Sequence, residues 1–230
     1  MYGVFGSRFA FDSMPLQFIL MVLGALAVLS GSTVAVFQHN IKRMLGYSSV
    51  AQIGYMILGL SLASVSGLTA TLVHLLNHAL MKGGLFLAVA CMAYQLGGVR
   101  LADLAGTGQR MPWTSAAFVV GGLSLIGVPL TAGFISKWML VVAVLETGWW
   151  PLLIVIAAGS LLTVAYIWRV IEMIYFRSAA TADGPPQEAH WSLLAPVWLL
   201  IAANIYFGID TQWSVDVARL AAQLLFGVHA

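Results

Sequence analysis

The sequence predicts an all-α integral membrane protein with about six transmembrane helices, one of them broken. Three observations carry that prediction. Of the 230 residues, 61% are hydrophobic and only 8% are charged, against about 25% charged in an average soluble domain. The apolar residues fall into runs near the ~20 that a spanning helix needs. One run is much longer than a single crossing requires, and Gly and Pro sit at its centre.

The elements follow in order. Residues 1–15 form a polar-aromatic lead-in with Arg8 and Asp12, without the basic start and immediate apolar core of a cleaved signal. Residues 16–208 form the transmembrane domain, and 209–230 a C-terminal interfacial segment. The first span is 16–37, where Gly24, Gly31 and Ser32 suit close helix packing. A basic turn at 39–45 carries Lys42 and Arg43, and the second span, 47–63, is short. The third is 68–95. A loop with Arg100, Asp103 and Arg110 leads into the long segment, 113–149.

That segment would extend ~55 Å as one helix, far more than a crossing needs. Its middle reads Gly127-Val128-Pro129-Leu130-Thr131-Ala132-Gly133. Pro129 removes a backbone donor, and Gly127 and Gly133 permit other dihedrals. It is read as one crossing with a broken middle, tolerated where the break lines a cavity or is buried in protein. The fifth span is 151–176, followed by a polar loop with Pro185-Pro186 and a sixth span, 191–208. Residues 215–228 read either as an amphipathic helix at the interface or as the start of a packed segment, with Asp216 and Arg219 on the polar side.

Four charged or titratable residues stand out inside the spans. His74, His78 and Lys82 recur at i, i+4, i+8, which places them on one helix face within an arc of roughly 80°. Lys137 follows the helix break directly. A lysine near the bilayer centre costs roughly 2.5–3.5 kcal/mol on insertion scales, so it is expected to face protein or a water-filled cavity and to be functional. Histidine titrates near ~6.5, and the proton affinity of lysine depends on its surroundings, so the column can act as a chain of proton sites. The bland alternative is helix–helix hydrogen bonding. Counting from the segment ends, His78 and Lys137 lie about 15–16 Å deep, near the middle of a ~30 Å core. A lateral polar path then requires that their helices be neighbours.

Other polar residues have plainer readings. Lys42 and Arg43 are topology anchors. Arg169 and Glu172, at i, i+3, form an ion pair near a helix end. Lys42, Arg169 and Glu172 are kept as secondary site candidates. Glu146 is a solvated interfacial carboxylate, Trp149-Trp150 an aromatic belt, and Tyr47 and Tyr55 packing or interfacial residues. The single cysteine, Cys91, excludes an internal disulfide. No flavin, haem, cluster or metal motif is visible, so no cofactor is expected. Nothing suggests nucleic acid as a partner.

Three motifs resemble one family. Asn40-Ile41-Lys42-Arg43-Met44-Leu45-Gly46-Tyr47-Ser48-Ser49 with Gly54-Tyr55, then His74 through Lys82 to Leu85-Phe86, then Gly127 to Lys137, occur in that order. They are similar to motifs of the antiporter-like proton-pumping membrane subunits of respiratory complex I, membrane-bound hydrogenases and Mrp-type cation/proton antiporters. The run from Arg110 to Trp138 is most similar to the Mrp D-type subunit. Where the family pattern has an aspartate, this chain has Asn40.

The resemblance implies inverted repeats of five helices, each with a broken helix carrying a lysine. Lys137 matches that lysine in the second repeat, and His74, His78 and Lys82 match the polar column between half-channels. The chain would be the second repeat plus a final helix. The first repeat, with its glutamate and lysine, would come from a partner chain, or the reading frame is truncated. The implied function is proton translocation, preferably in a monovalent cation/proton antiporter. The alternatives are the membrane arm of an NADH-quinone oxidoreductase or hydrogenase, or a non-conducting fragment. Redox chemistry would belong to other subunits. Expected partners are other membrane subunits, the lipid bilayer, protons and sodium.

With six crossings, Lys42-Arg43, Arg100 with Arg110, and Arg177 all fall on one side, which the positive-inside rule makes cytoplasmic. The chain is therefore expected as a multi-pass protein of the plasma (inner) membrane with both termini outside the cytoplasm. Ser7→Cys and Ala182→Cys should label from opposite faces, Ala182→Cys from the cytoplasm. Labelling from the same face would show that 113–149 crosses twice.

Overall fold

The computed structural model describes residues 16–178 and 188–227. The lead-in 1–15 and the Pro185-Pro186 loop lie outside them. Every regular element among the described residues is helical, joined by one isolated bridge between Asn40 and Arg100.

Helix α1 is Leu16–Val36 and α2 is Ile41–Ser61. They pack through small residues. A Cβ at Gly31 would lie 2.8 Å from the Ala51 amide nitrogen, and one at Gly54 would lie 2.7 Å from that of Val28. Backbones this close maximise dispersion contact where lipid offers no hydrophobic drive. The start of α2 corrects the expected turn at 39–45. The Asn40 side chain accepts from the Arg43 amide at 3.2 Å, an N-cap that lets helix begin at Ile41. Ile41, Met44 and Leu45 are buried at i, i+3, i+4, while Lys42 and Arg43 point outward from the same turn.

Ser64 caps α3, accepting from the Gly67 amide at 3.0 Å. Helix α3 then runs Val65–Leu96, 32 residues, and stops at Gly97 with φ 69°. It is the hub, in contact with α2 and with most of the longer helices that follow. A 3-10 turn, Leu101–Leu104, and a single helical turn, Thr107–Arg110, lead to the broken segment.

The break lies where the sequence placed it. Helix α4 is Pro112–Ile126 and α5 is Ala132–Thr147. Between them Gly127 has φ 95° and Leu130 φ 71°. Both halves follow α3 in reverse order. Gly121 abuts Leu85, Gly133 abuts Met81, and Ser136 meets His74. Glu146 shares a cavity with Ser66. The two halves thus form one antiparallel course along α3.

Helix α6 is Pro151–Phe176 and α7 is Trp191–Ile209. Helix α8, Gln212–Phe226, buries Ser214, Ala218 and Ala222. These small residues recur every fourth position and lay α8 against α3, beside Leu72, Val73 and Leu76. Helix α8 thus packs on α3 and keeps Asp216 and Arg219 on its exposed side.

By length and composition four helices among the described residues can cross a membrane: α1, α3, α6 and α7. Helix α2 is long enough but diluted by Lys42, Arg43, Ser48, Ser49 and Gln52. The halves α4 and α5 have 15 and 16 residues, each too short alone.

The N-terminus of α4 receives its cap from a distant residue. Met111 offers no capping side chain. The Glu188 carboxylate accepts from the Trp113 amide at 2.8 Å and from the Thr114 hydroxyl at 2.5 Å. Gln95 at the end of α3 donates to the Glu188 carbonyl at 3.1 Å. An acidic group at a helix N-terminus satisfies free amides and opposes the helix dipole. Glu188→Ala should cost ~1 kcal/mol and lower the melting temperature of the purified chain by a few degrees. An unchanged melting curve would show that this clasp adds nothing.

Candidate functional site: a buried polar column at the helix break

The site starts from a backbone fact. The last carbonyls of a helix have no amide partner within it. Helix α4 ends half-buried, at Gly127, within an apolar chain, so its end must be satisfied there. Part is closed locally: the Gly127 amide reaches the carbonyls of Leu123 and Ser124, and the Val128 amide that of Leu123, each at 3.0 Å. The carbonyls of Leu125 and Ile126 are taken by the Lys137 amine at 2.9 and 3.0 Å, and the Ser160 hydroxyl of α6 lies 3.3 Å away. A cation at the negative end of a helix is favourably placed.

The predicted break residues shape this seat. Gly127 takes a φ that L side chains rarely adopt, and a Cβ there would lie 3.2 Å from Lys137 Cδ. A Cβ on Gly133 would fall 1.9 Å from the Ser124 carbonyl oxygen, so only glycine lets α5 start so close to α4. The Gly133 amide donates to the Ser124 hydroxyl at 3.1 Å. Pro129 removes a donor from the connecting turn.

The column on α3 joins this seat. His74 Nδ1 and the Ser136 hydroxyl are 2.8 Å apart, and the Asn77 amide donates to the Ala132 carbonyl at 2.7 Å. The adjacency of α3 and α5 that a lateral path requires is thus present. The rings of His74 and His78 stack with centroids 6.3 Å apart. One turn further, the Lys82 amine donates to the Leu45 carbonyl of α2 at 2.8 Å and to the Ser48 hydroxyl. Phe86 lies beside it, 5.9 Å from amine to ring centroid. His74, Lys82 and Lys137 are buried and His78 half-buried.

Two amines therefore flank a pair of imidazoles, and both amines rest on neutral acceptors. Among the described residues the only ion pair is Arg177–Glu172, at 2.8 Å. A carboxylate would pin each lysine as a cation; carbonyls, hydroxyls and rings leave both protonation states accessible. Three of the buried polar atoms without a hydrogen-bond partner among the described residues lie on the column, His74 Nε2, His78 Nδ1 and Asn77 Oδ1; others are on Ser32, Gln52, Arg110, Ser115, Trp198 and Asn204. Those on the column are open donor or acceptor positions along it. Among the described residues no three His, Cys, Asp or Glu side chains come together as a metal set would require.

The secondary candidates lie elsewhere. Lys42 is exposed at the start of α2. The expected Arg169–Glu172 pair does not form. Arg169 turns inward and donates to the Val36 carbonyl at the end of α1, while Glu172 faces outward and pairs with Arg177 beyond the end of α6. The i, i+3 spacing permitted the pair, but an open carbonyl end on α1 drew the guanidinium away. Glu146 is exposed and shares a cavity of about 800 Å³ with Ser66, Thr69 and Arg219.

Sequence reasoning missed Ser48, Gln52, Ser136 and Ser160, and read Tyr55 as a packing or interfacial residue. Ser48, Gln52 and Tyr55 are buried at i, i+4, i+7 on α2. That polar stripe within an apolar helix was the available signal.

Comparison with known proteins adds the family. Residues 1–163 match the family described as NADH:quinone oxidoreductase/Mrp antiporter, TM. NADH-quinone oxidoreductase subunit N of Desulforudis audaxviator is 42% identical over 196 residues, covering 81% of this chain and 39% of that protein. The subunit N of Acinetobacter baumannii is 34% identical over 92% of this chain and 43% of its own length. The chain thus spans about two fifths of the length of the curated relatives it matches. A chain of the Mrp complex from Dietzia sp. shares the fold with TM-score 0.87 at 24% identity, over 98% of this chain and 50% of that one. A chain of Thermus thermophilus respiratory complex I shares it with TM-score 0.81 at 20% identity, over 96% and 46%. The relatives' names do not bear out the specific likeness to an Mrp D-type subunit and point to the oxidoreductase side. The chain, a membrane protein built around a lysine seated at a helix break, belongs to the NADH:quinone oxidoreductase/Mrp antiporter transmembrane family.

Proposed function

We propose that this chain carries protons through the membrane arm of an NADH-quinone oxidoreductase-type complex, the reading that was second to the antiporter in sequence. The names of its relatives support that order. One observation carries the proposal: Lys137 is buried on the open carbonyl end of α4, with no carboxylate partner among the described residues, beside a histidine pair that ends at a second buried lysine.

In this proposal Lys137 is a switchable proton site. Its ammonium is held by the Leu125 and Ile126 carbonyls, and loss of the proton leaves a neutral amine with no buried counter-ion stranded. The proton passes by way of the Ser136 hydroxyl to the His74 imidazole, one ring nitrogen accepting as the other releases. His78 and Lys82 continue the relay toward α2. The chain crosses the membrane six times with both termini outside the cytoplasm, α4 and α5 counting as one crossing. A first repeat supplied outside these 230 residues and other membrane subunits complete the path and couple it to redox chemistry.

Arginine separates a proton site from a structural charge, because it stays charged at any working pH. In the assembled complex, Lys137→Arg should impair proton uptake by inverted vesicles nearly as much as Lys137→Ala, with normal subunit levels in the membrane. Full activity of the arginine variant would reduce Lys137 to a structural charge, and so would loss of the assembled complex in both variants.

A further inference from the structure

Tyr55 touches both partners of the first step. It lies on α2 and is 2% exposed. Its ring centroid is 5.2 Å from the Lys137 amine and 6.0 Å from the centroid of the His74 ring, with the two rings edge to face at 77°. The ring is held from behind by α6. Its hydroxyl donates to the Ile156 carbonyl at 3.4 Å, and a Cβ at Gly159 would come within 2.4 Å of that hydroxyl. Glycine at that position leaves the space the phenol fills. Four helices thus converge on one contact: the ring from α2, the amine from α5, the imidazole from α3 and the backstop from α6.

The amine is seated on one side by the α4 carbonyls. Its other neighbours are the Ser160 hydroxyl, at 3.3 Å, and an aromatic face, which attracts a cation but binds a neutral amine far less. An ammonium that leaves the carbonyls toward Ser136 and His74 would otherwise cross a buried space with its charge unmatched, which is costly. The ring removes that gap for the charged form alone. A tyrosine serving only to fill volume would not need its face turned to the amine.

We propose that Tyr55 is a positioning residue for Lys137, its ring face providing a second seat for the ammonium between the α4 carbonyls and the His74 imidazole. This rests on the proton-handling role proposed for Lys137. The ring is the active feature and the hydroxyl is its tether.

The test uses the assembled complex in inverted vesicles, with Tyr55→Phe, Tyr55→Leu and Tyr55→Met compared against Lys137→Ala. Phenylalanine keeps the ring face and should retain proton uptake within about twofold. Leucine and methionine fill space without a π face and should lose roughly tenfold. Their pH dependence of uptake should also be displaced, while that of the phenylalanine variant matches the parent. Methionine, being unbranched and adaptable, decides the matter if the leucine variant does not accumulate. Parent-like uptake in the leucine or methionine variants would overturn the proposal. So would a loss without displacement of the pH profile, which marks packing, or an equal loss in phenylalanine, which marks the hydroxyl. If Lys137→Ala itself transports normally, the role of Lys137 fails first. If it stops transport while the leucine variant matches the parent, only the role of Tyr55 fails.

Discussion

The structure depends on how the open end of α4 is closed by a side chain of α5. A helix that stops in an apolar environment leaves carbonyls that water cannot reach. The Lys137 amine meets those of Leu125 and Ile126 from the second turn of α5. This contact makes the break tolerable, and it also makes a buried lysine tolerable, because the negative helix end offsets the charge. Each group would be expensive without the other. The tight approach at Gly133 and the unusual backbone of Gly127 exist to bring them within reach.

Around that contact the helices are joined by two kinds of interaction in different places. Small residues bring α1 against α2 and α8 against α3, where backbone or near-backbone contact substitutes for a hydrophobic drive that lipid does not provide. Polar side chains join α3 to α5 and α3 to α2, through His74–Ser136, Asn77–Ala132 and Lys82–Leu45. The polar set runs between two apolar clusters. One is built around Met81, Phe118 and Ile167, the other around Val28, Leu58 and Leu140. Low dielectric on both sides strengthens each hydrogen bond in the column and raises the cost of leaving one unmade.

Where the sequence reading erred, the cause was a backbone group. The start of α2 was placed six residues late because the apolar run begins there, while the cap at Asn40 starts the helix earlier. Arg169 was paired with Glu172 by spacing, while the end of α1 offered it a carbonyl instead. Helix-end carbonyls have no letter in the sequence, so their claims on side chains are invisible until the ends are located.

The sequence by itself determined the class of protein, the existence and near limits of the long helices, the break at Gly127–Gly133 and the one-face column of His74, His78 and Lys82. These are local properties: composition, run length, the dihedral limits of Gly and Pro, and a 3.6-residue period act within a few turns of one chain segment. Tertiary structure alone decided that α3 and α5 are neighbours, that Lys137 rests on α4 rather than on an acid, that Lys82 reaches α2, and that the Tyr55 ring lies near both Lys137 and His74. Apart from the Lys137 seat, whose two sides flank one turn, those partners come from segments far apart in the chain. Which side chain meets which carbonyl is set by the approach of whole helices, a global balance of packing that no single stretch encodes.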